Sequence, residues 1–171
     1  HSLDVVKDLC DRAVWIYKGE LRLDGDPIYV IDEYLKQVAI DHKEEKKKAI
    51  AEGKHHFKAA VFIDAPKDFI SVKREQKELF CQGWQLSDHD DAILKITLDD
   101  KELKNIERKN RQDVFEAYQE VYAGDMDPDT IGWKTNINLT DLELGNHKLL
   151  VQCIEPNGNI LAEKSIQFIL E

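Results

Sequence analysis

The feature that most limits the fold is a change of apolar period near Phe57. Before it, helical spacing dominates around one short β-rich run; after it, apolar residues fall on every second position in short runs. A period of two marks half-buried strands, and these runs are rich in the β-branched and aromatic residues that suit them. The main runs are F-K-A-A-V-F-I-D from Phe57, E-L-F-C-Q-G-W-Q-L from Glu78, I-L-K-I-T-L from Ile93, G-W-K-T-N-I-N-L from Gly132, K-L-L-V-Q-C-I from Lys148 and the closing run from Ile160. S-D-H-D-D, D-D-K-E and E-P-N-G-N read as turns between them, and Asn157-Gly158 is the strongest hairpin signal. About seven or eight short strands separated by turn chemistry predict an immunoglobulin-like antiparallel β-sandwich. Val114, Phe115, Tyr118 and Tyr122 break the alternation with steps of three and four, which predicts a short helical insertion across a sheet.

Bulk properties narrow the function. The 171 residues suffice for one large domain or a domain with an appendage, and 42% hydrophobic residues can fill a core. A net charge of −10 disfavours nucleic acid and anionic membranes, whose phosphates call for clustered Lys and Arg. No apolar run approaches the roughly 20 residues needed to span a bilayer, and no secretory signal is visible. Cys10, Cys81 and Cys153 lack metal or CxxC spacing, so reduced thiols in a cytoplasmic protein are expected. Cys81 and Cys153 fall in core strands that could face each other. A chain opening on His1 instead of Met is expected to be a fragment.

The first forty residues have a different texture. Leu3, Val6, Leu9 and Cys10 predict a helix of about three turns, A-V-W-I-Y and E-L-R-L-D a hairpin about Lys18-Gly19, and Asp26-Pro27 a helix start. The charged run 41–55 reads as a solvated linker helix, supported by Glu44 and Lys48 at i, i+4 and stopped by Gly53. The expected division is therefore 1–40, a linker 41–55, and a sandwich 56–171.

The N-terminal segment carries a resemblance. C-D-R-A-V-W-I-Y-K-G-E-L-R-L-D-G-D-P, followed by V-I-D-E-Y, is similar to the end of the nucleotide-binding domain of ABC transporters, in particular the ATP-binding subunits that export bacterial surface polysaccharides such as O-antigen or teichoic acid. The resemblance rests on Cys10, Asp11, Arg12, Ala13, Trp15, Gly19, Gly25 and Pro27. It implies that 1–40 is a small α/β remnant of that domain, and that His1 stands where the family has its switch histidine. ATP and Mg²⁺ would serve the parent protein. This fragment has no Gly-rich phosphate loop, signature motif or metal-binding strand carboxylate, so it is expected neither to hydrolyse ATP nor to hold a cofactor.

A second resemblance covers the strand-rich part. Gly83-Trp84 with Leu86, then Arg111, Asp113, Val114 and Tyr118, then Gly132-Trp133, then Gly145-Asn146-His147 resemble a sandwich module of bacterial cell-surface and glycan-handling proteins, with Gln112 and Gln119 where that module has Pro. Exporter ATPases of this kind often carry a C-terminal glycan-binding sandwich. Sugar recognition needs an aromatic face and a few polar groups. Trp84, Trp133, Tyr118 and Tyr122 are the aromatic candidates; Arg111, Asp113 and His147 are the polar ones. Each Trp could instead be inter-sheet core. Arg111 and Asp113 could equally be a local ion pair. No metal is expected: Asp125, Asp127 and Asp129 alternate as a calcium loop begins, but Thr130 and Asn136 stand where an EF-hand needs Gly and Glu.

The function these readings imply is substrate recognition in a polysaccharide exporter. The expected partners are a bacterial surface polysaccharide or its lipid-linked precursor, a membrane-spanning exporter subunit and a second copy of the chain, at the inner face of the cell membrane. The other reading is a dimerisation or docking sandwich without glycan affinity. In either case Ser165–Leu170, a terminal strand, is the candidate for exchange in a homodimer.

Overall fold

A computed structural model describes residues 3–171; His1 lies outside the described residues. The chain divides into two compact units, residues 1–55 with 119–124, and residues 56–118 with 125–171.

The first unit starts with helix α1 (Leu3–Leu9) and a hairpin of β1 (Ala13–Tyr17) and β2 (Glu20–Gly25). Gly19 makes the turn at φ +85°, a conformation that side chains with a Cβ adopt at a cost. Asp26 caps the next helix by accepting from the Ile28 and Tyr29 amides at 3.0 and 3.2 Å, and Pro27 occupies the first turn, where a missing N–H costs nothing. That helix, α2, runs unbroken from Pro27 to Ala51, so the expected final helix and linker helix are one element. Trp15 lies edge-on to Tyr34 of α2 at 6.1 Å, and Tyr17 donates to Asp41 at 3.1 Å. The opposite face of the hairpin is bare: Val14, Ile16 and Leu21 are all more than half exposed.

The second unit is a two-sheet β-sandwich. One sheet has four strands in the order β3 (Ala59–Ala65), β5 (Glu78–Ser87), β9 (Gly132–Asn138) and β8 (Glu107–Lys109). The other has five, in the order β4 (Ile70–Val72), β11 (Ile160–Leu170), β10 (Gly145–Ile154), β6 (Ile93–Leu98) and β7 (Lys101–Glu102). Pairing is antiparallel except for β4 on β11. Asp99 and Asp100 form the β6–β7 turn with φ of 46° and 67°, the two positive values that a tight two-residue hairpin demands. The core consists of the inward positions of both sheets, among them Ile63, Cys81, Ile96, Trp133, Val151 and Phe168. Helices α3 (Gln112–Tyr118) and α4 (Pro128–Ile131) form the insertion between β8 and β9.

Of three expectations that the fold bears on, one changes. Cys81 and Cys153 are free thiols on different sheets, each buried; burial pushes the Cys81 thiol up to about 12, and the Cys153 sulfur accepts from Gln85 at 3.0 Å. Within Ser165–Leu170 the stretch Phe168–Leu170 is not a sheet edge, because β4 pairs with it on one side and β10 on the other. Among the described residues no helix is long and apolar enough to cross a membrane.

Candidate functional site

The two Gly-Trp pairs face each other across the β5–β9 ladder in reciprocal register. Gly83 pairs with Trp133, and Trp84 pairs with Gly132. Successive strand residues point to opposite faces, so one ring must go inward and the other outward. Leu79, Cys81 and Gly83 set the inward phase of β5, which sends Phe80, Gln82 and Trp84 outward. Trp133 takes the inward place and is fully buried. It packs where Gly83 has no side chain: a Cβ there would lie 2.6 Å from the Trp133 ring. The expectation that Trp133 faces a ligand is therefore corrected, since none of its surface reaches solvent.

Trp84 is half-buried on the outer face of the four-stranded sheet, within a run of aromatics. Phe62, its cross-strand partner on β3, stacks on it at 5.6 Å with planes only 17° apart. Tyr118, the last residue of α3, is tilted against Trp84 at 5.5 Å. Phe62 itself remains 44% exposed, so the stack offers a ring face to solvent.

Arg111 fixes this arrangement. Its Nε and Nη2 donate to Asp113 at 2.8 and 2.7 Å, and its Nη1 donates to Asp64 of β3 at 2.5 Å. The aliphatic stem crosses Gly132, where an added Cβ would lie 2.7 Å from Arg111 Cγ. The hydrogen bonds from Arg111 hold Asp113 down at about 2, so that carboxylate stays charged across the physiological range. The clamp joins the start of α3 to strand β3, and α3 in turn delivers Tyr118 to Trp84. Arg111 and Asp113 thus form an ion pair that borders the aromatic shelf.

Tyr122 and His147 lie elsewhere. Tyr122 is buried in the 119–124 stretch that groups with the first unit. His147 is on β10 of the five-stranded sheet, 7% exposed, with its ring stacked on Phe168. Its Nδ1 meets Asp99 Oδ2 at 2.6 Å and its Nε2 meets the Glu143 carbonyl at 2.8 Å. Both partners are acceptors, so the ring satisfies them only as the doubly protonated imidazolium. Burial lowers its pKa, but the Asp99 carboxylate and Glu143 carbonyl outweigh that and raise it. A raised folded-state value gives stability that is complete below the unfolded pKa of about 6.5. That stability is lost as pH rises through the folded value. We expect the thermal midpoint to fall across that window, and His147→Gln, which lacks the titration, to flatten the fall. Identical pH profiles for the two proteins would rule the dyad out.

Cavities open in the sandwich unit. One, about 120 Å³, is bounded by Gln85, His89 and Arg108 and is small against the roughly 300 Å³ at which ligand pockets begin. Another, about 370 Å³, lies on the outer sheet face and is lined by Phe80, Asn105, Asn136 and Asn138 with the Lys134–Glu107 pair. Sequence reasoning did not single out Phe62, Asp64, Phe80 or Asn136. Phe80 shares the parity of Trp84, a signal that could have found it; Asp64 is 47 residues from Arg111, and no local pattern joins them.

Sequence comparison gives one further bearing. Over 62 residues the chain is 42% identical to the teichoic acids export ATP-binding protein TagH of Listeria innocua, covering 34% of this chain and 18% of that protein. That stretch is related to the ATP-binding subunit of an ABC exporter. The chain spans less than a fifth of the length of the relative it matches. No family model matches it. Among solved structures it is similar to an endo-β-1,4-mannanase from Thermotoga petrophila at 13% identity and a TM-score of 0.44, over 72% of this chain and 22% of that one. It is also similar to the SrpA adhesin of Streptococcus sanguinis at 10% identity and a TM-score of 0.40, over 68% and 59%.

Proposed function

We propose that the sandwich unit is the substrate-recognition part of a polysaccharide exporter's ATP-binding subunit, and that it holds the glycan on the outer face of its four-stranded sheet. The observation that carries this reading is the Phe62–Trp84–Tyr118 stack, open to solvent on a sheet face and braced by Arg111. A sugar ring has an apolar side that an aromatic plane can cover, and hydroxyls that need a small number of fixed polar groups. The sequence relation to a teichoic acids export ATP-binding protein supports the transport context. In that context the parent protein uses ATP and Mg²⁺, works with a membrane-spanning subunit at the inner face of the membrane, and pairs with a second copy. The proposed glycan contacts are Trp84, Tyr118 and Phe62, with Arg111 and Asp113 at the border.

The test is calorimetric titration of the chain with oligosaccharides prepared from bacterial surface polysaccharides. Saturable heat is expected, together with its loss in a folded Trp84→Ala variant, because this ring on the outer sheet face can be removed without opening the core. Absence of heat across the panel, with a concentration-dependent dimer in sedimentation that Trp84→Ala dissolves, would replace this reading with the docking sandwich.

A further inference from the structure

The aromatic shelf is one end of a longer surface. Along β5 the outward side chains are Trp84, Gln82, Phe80 and Glu78, and along β9 they are Lys134, Asn136 and Asn138. Phe80 is 47% exposed, and among the described residues no ring stacks on it. It lies four residues from Trp84, about 14 Å along the strand at roughly 3.4 Å per residue. Next to it opens the cavity of about 370 Å³. Asn136 faces Phe80 directly across the ladder. No hydrogen bond within the described residues engages the Asn136 amide or the Asn105 side chain, so each keeps donors and an acceptor for a ligand.

The charges on this surface give an anion little to bind. Arg111 is shared by Asp64 and Asp113, Lys134 is paired with Glu107 at 2.8 Å, and Lys109 is turned to the neutral Gln82 at 3.0 Å. Glu78, at the cavity, has no ion pair among the described residues. A polyanion here would meet a free carboxylate and, Lys109 apart, would have to break existing pairs to find a cation. An uncharged, hydroxyl-rich chain meets neither obstacle.

We infer that the groove of Phe80, Asn105 and Asn136 is a second sugar subsite, and that the ligand is an uncharged oligosaccharide lying along β5 from Trp84 to Phe80. The inference rests on the glycan reading of the same face. It adds a direction, a minimum length greater than one sugar, and a charge class: the segment recognised is a neutral sugar portion of the exported polymer, not a phosphodiester backbone.

Two occupied subsites on one chain make the second contact intramolecular, so affinity should climb with ligand length. The experiment titrates the chain with neutral β-linked oligosaccharides from disaccharide to tetrasaccharide, and with a synthetic glycerol-phosphate oligomer. The tetrasaccharide is expected to bind at least about tenfold more tightly than the disaccharide. Phe80→Ala should reduce the tetrasaccharide to disaccharide affinity while leaving the disaccharide unchanged, and Trp84→Ala should abolish both. Asn136→Ala, an exposed amide change, repeats the test should Phe80→Ala alter the fold. Tetrasaccharide binding that Trp84→Ala removes but Phe80→Ala and Asn136→Ala leave intact would overturn the second subsite and preserve the function proposed above. Tighter binding of the glycerol-phosphate oligomer would overturn the charge class alone. Failure of every ligand would remove both readings together.

Discussion

Trp133→Ala is expected to destabilise the sandwich by about 3–5 kcal/mol, the range for deleting a large aromatic from a packed core. The ring is fully buried and shares its cluster with Ile63, Cys81, Ile96 and Phe168, side chains contributed by both sheets. Strand pairing holds those neighbours in place, so they can close only part of the space left behind. Net stabilities of domains are of the order of 5–15 kcal/mol, and the loss would take a large share of one. Among the described residues the indole N–H has no partner, so no hydrogen bond disappears with the ring and the cost is one of packing alone. Chemical denaturation measures it. A midpoint within error of the parent protein would show that the ring is not the keystone of the core. Trp84→Ala, by contrast, should unfold close to the parent protein, because that ring lies on the solvent side of the same ladder.

The second large effect is expected at Gly83. An alanine methyl there would overlap the Phe62 carbonyl oxygen on the neighbouring strand as well as the Trp133 ring. A side chain can rotate away from an intruding methyl; a carbonyl in a paired strand cannot. The penalty should therefore sit at or above the upper end of the usual range of about 1–3 kcal/mol for overpacking. Shrinking Trp133 to Phe should not rescue it, because the backbone overlap remains. A thermal melt of Gly83→Ala, alone and combined with Trp133→Phe, decides the matter: full rescue by the smaller ring would place the whole conflict with Trp133.

These two residues also show what the chain reveals before it folds. The alternation from Phe57 onward is enough to read a two-sheet sandwich, because a period of two admits little else. It does not say which Trp points inward. In β5 both parities carry apolar residues, with Leu79 and Cys81 on one and Phe80, Trp84 and Leu86 on the other. Only the register with β9, set by residues some fifty positions away, decides between them. The Arg111–Asp113 neighbours were visible at once, but Asp64 joins them only through the pairing of β3 with β5. His147 looked like a polar ligand group because its burial and its Asp99 partner depend on a hairpin that the sequence marks only as Asp-Asp. The long helix was legible and overlooked: from Ile28 to Glu52 no Gly or Pro interrupts it, and a change from apolar to charged composition alters which face is wet, not whether the backbone coils.

The outer strands of the sandwich are unequal. Three of its four borders end in strands of two or three residues, β4, β7 and β8, too short to template another chain. The fourth is β3, seven residues long, with one side of its backbone unpaired in the sheet. In a concentrated preparation, self-association by strand addition can begin along this border, beside Phe62. A charged substitution on the exposed Phe62 would guard that border, and it would do so at the expense of the stack on Trp84. Solubility and recognition are thus drawn from the same strand, and a variant improved for one should be checked for the other.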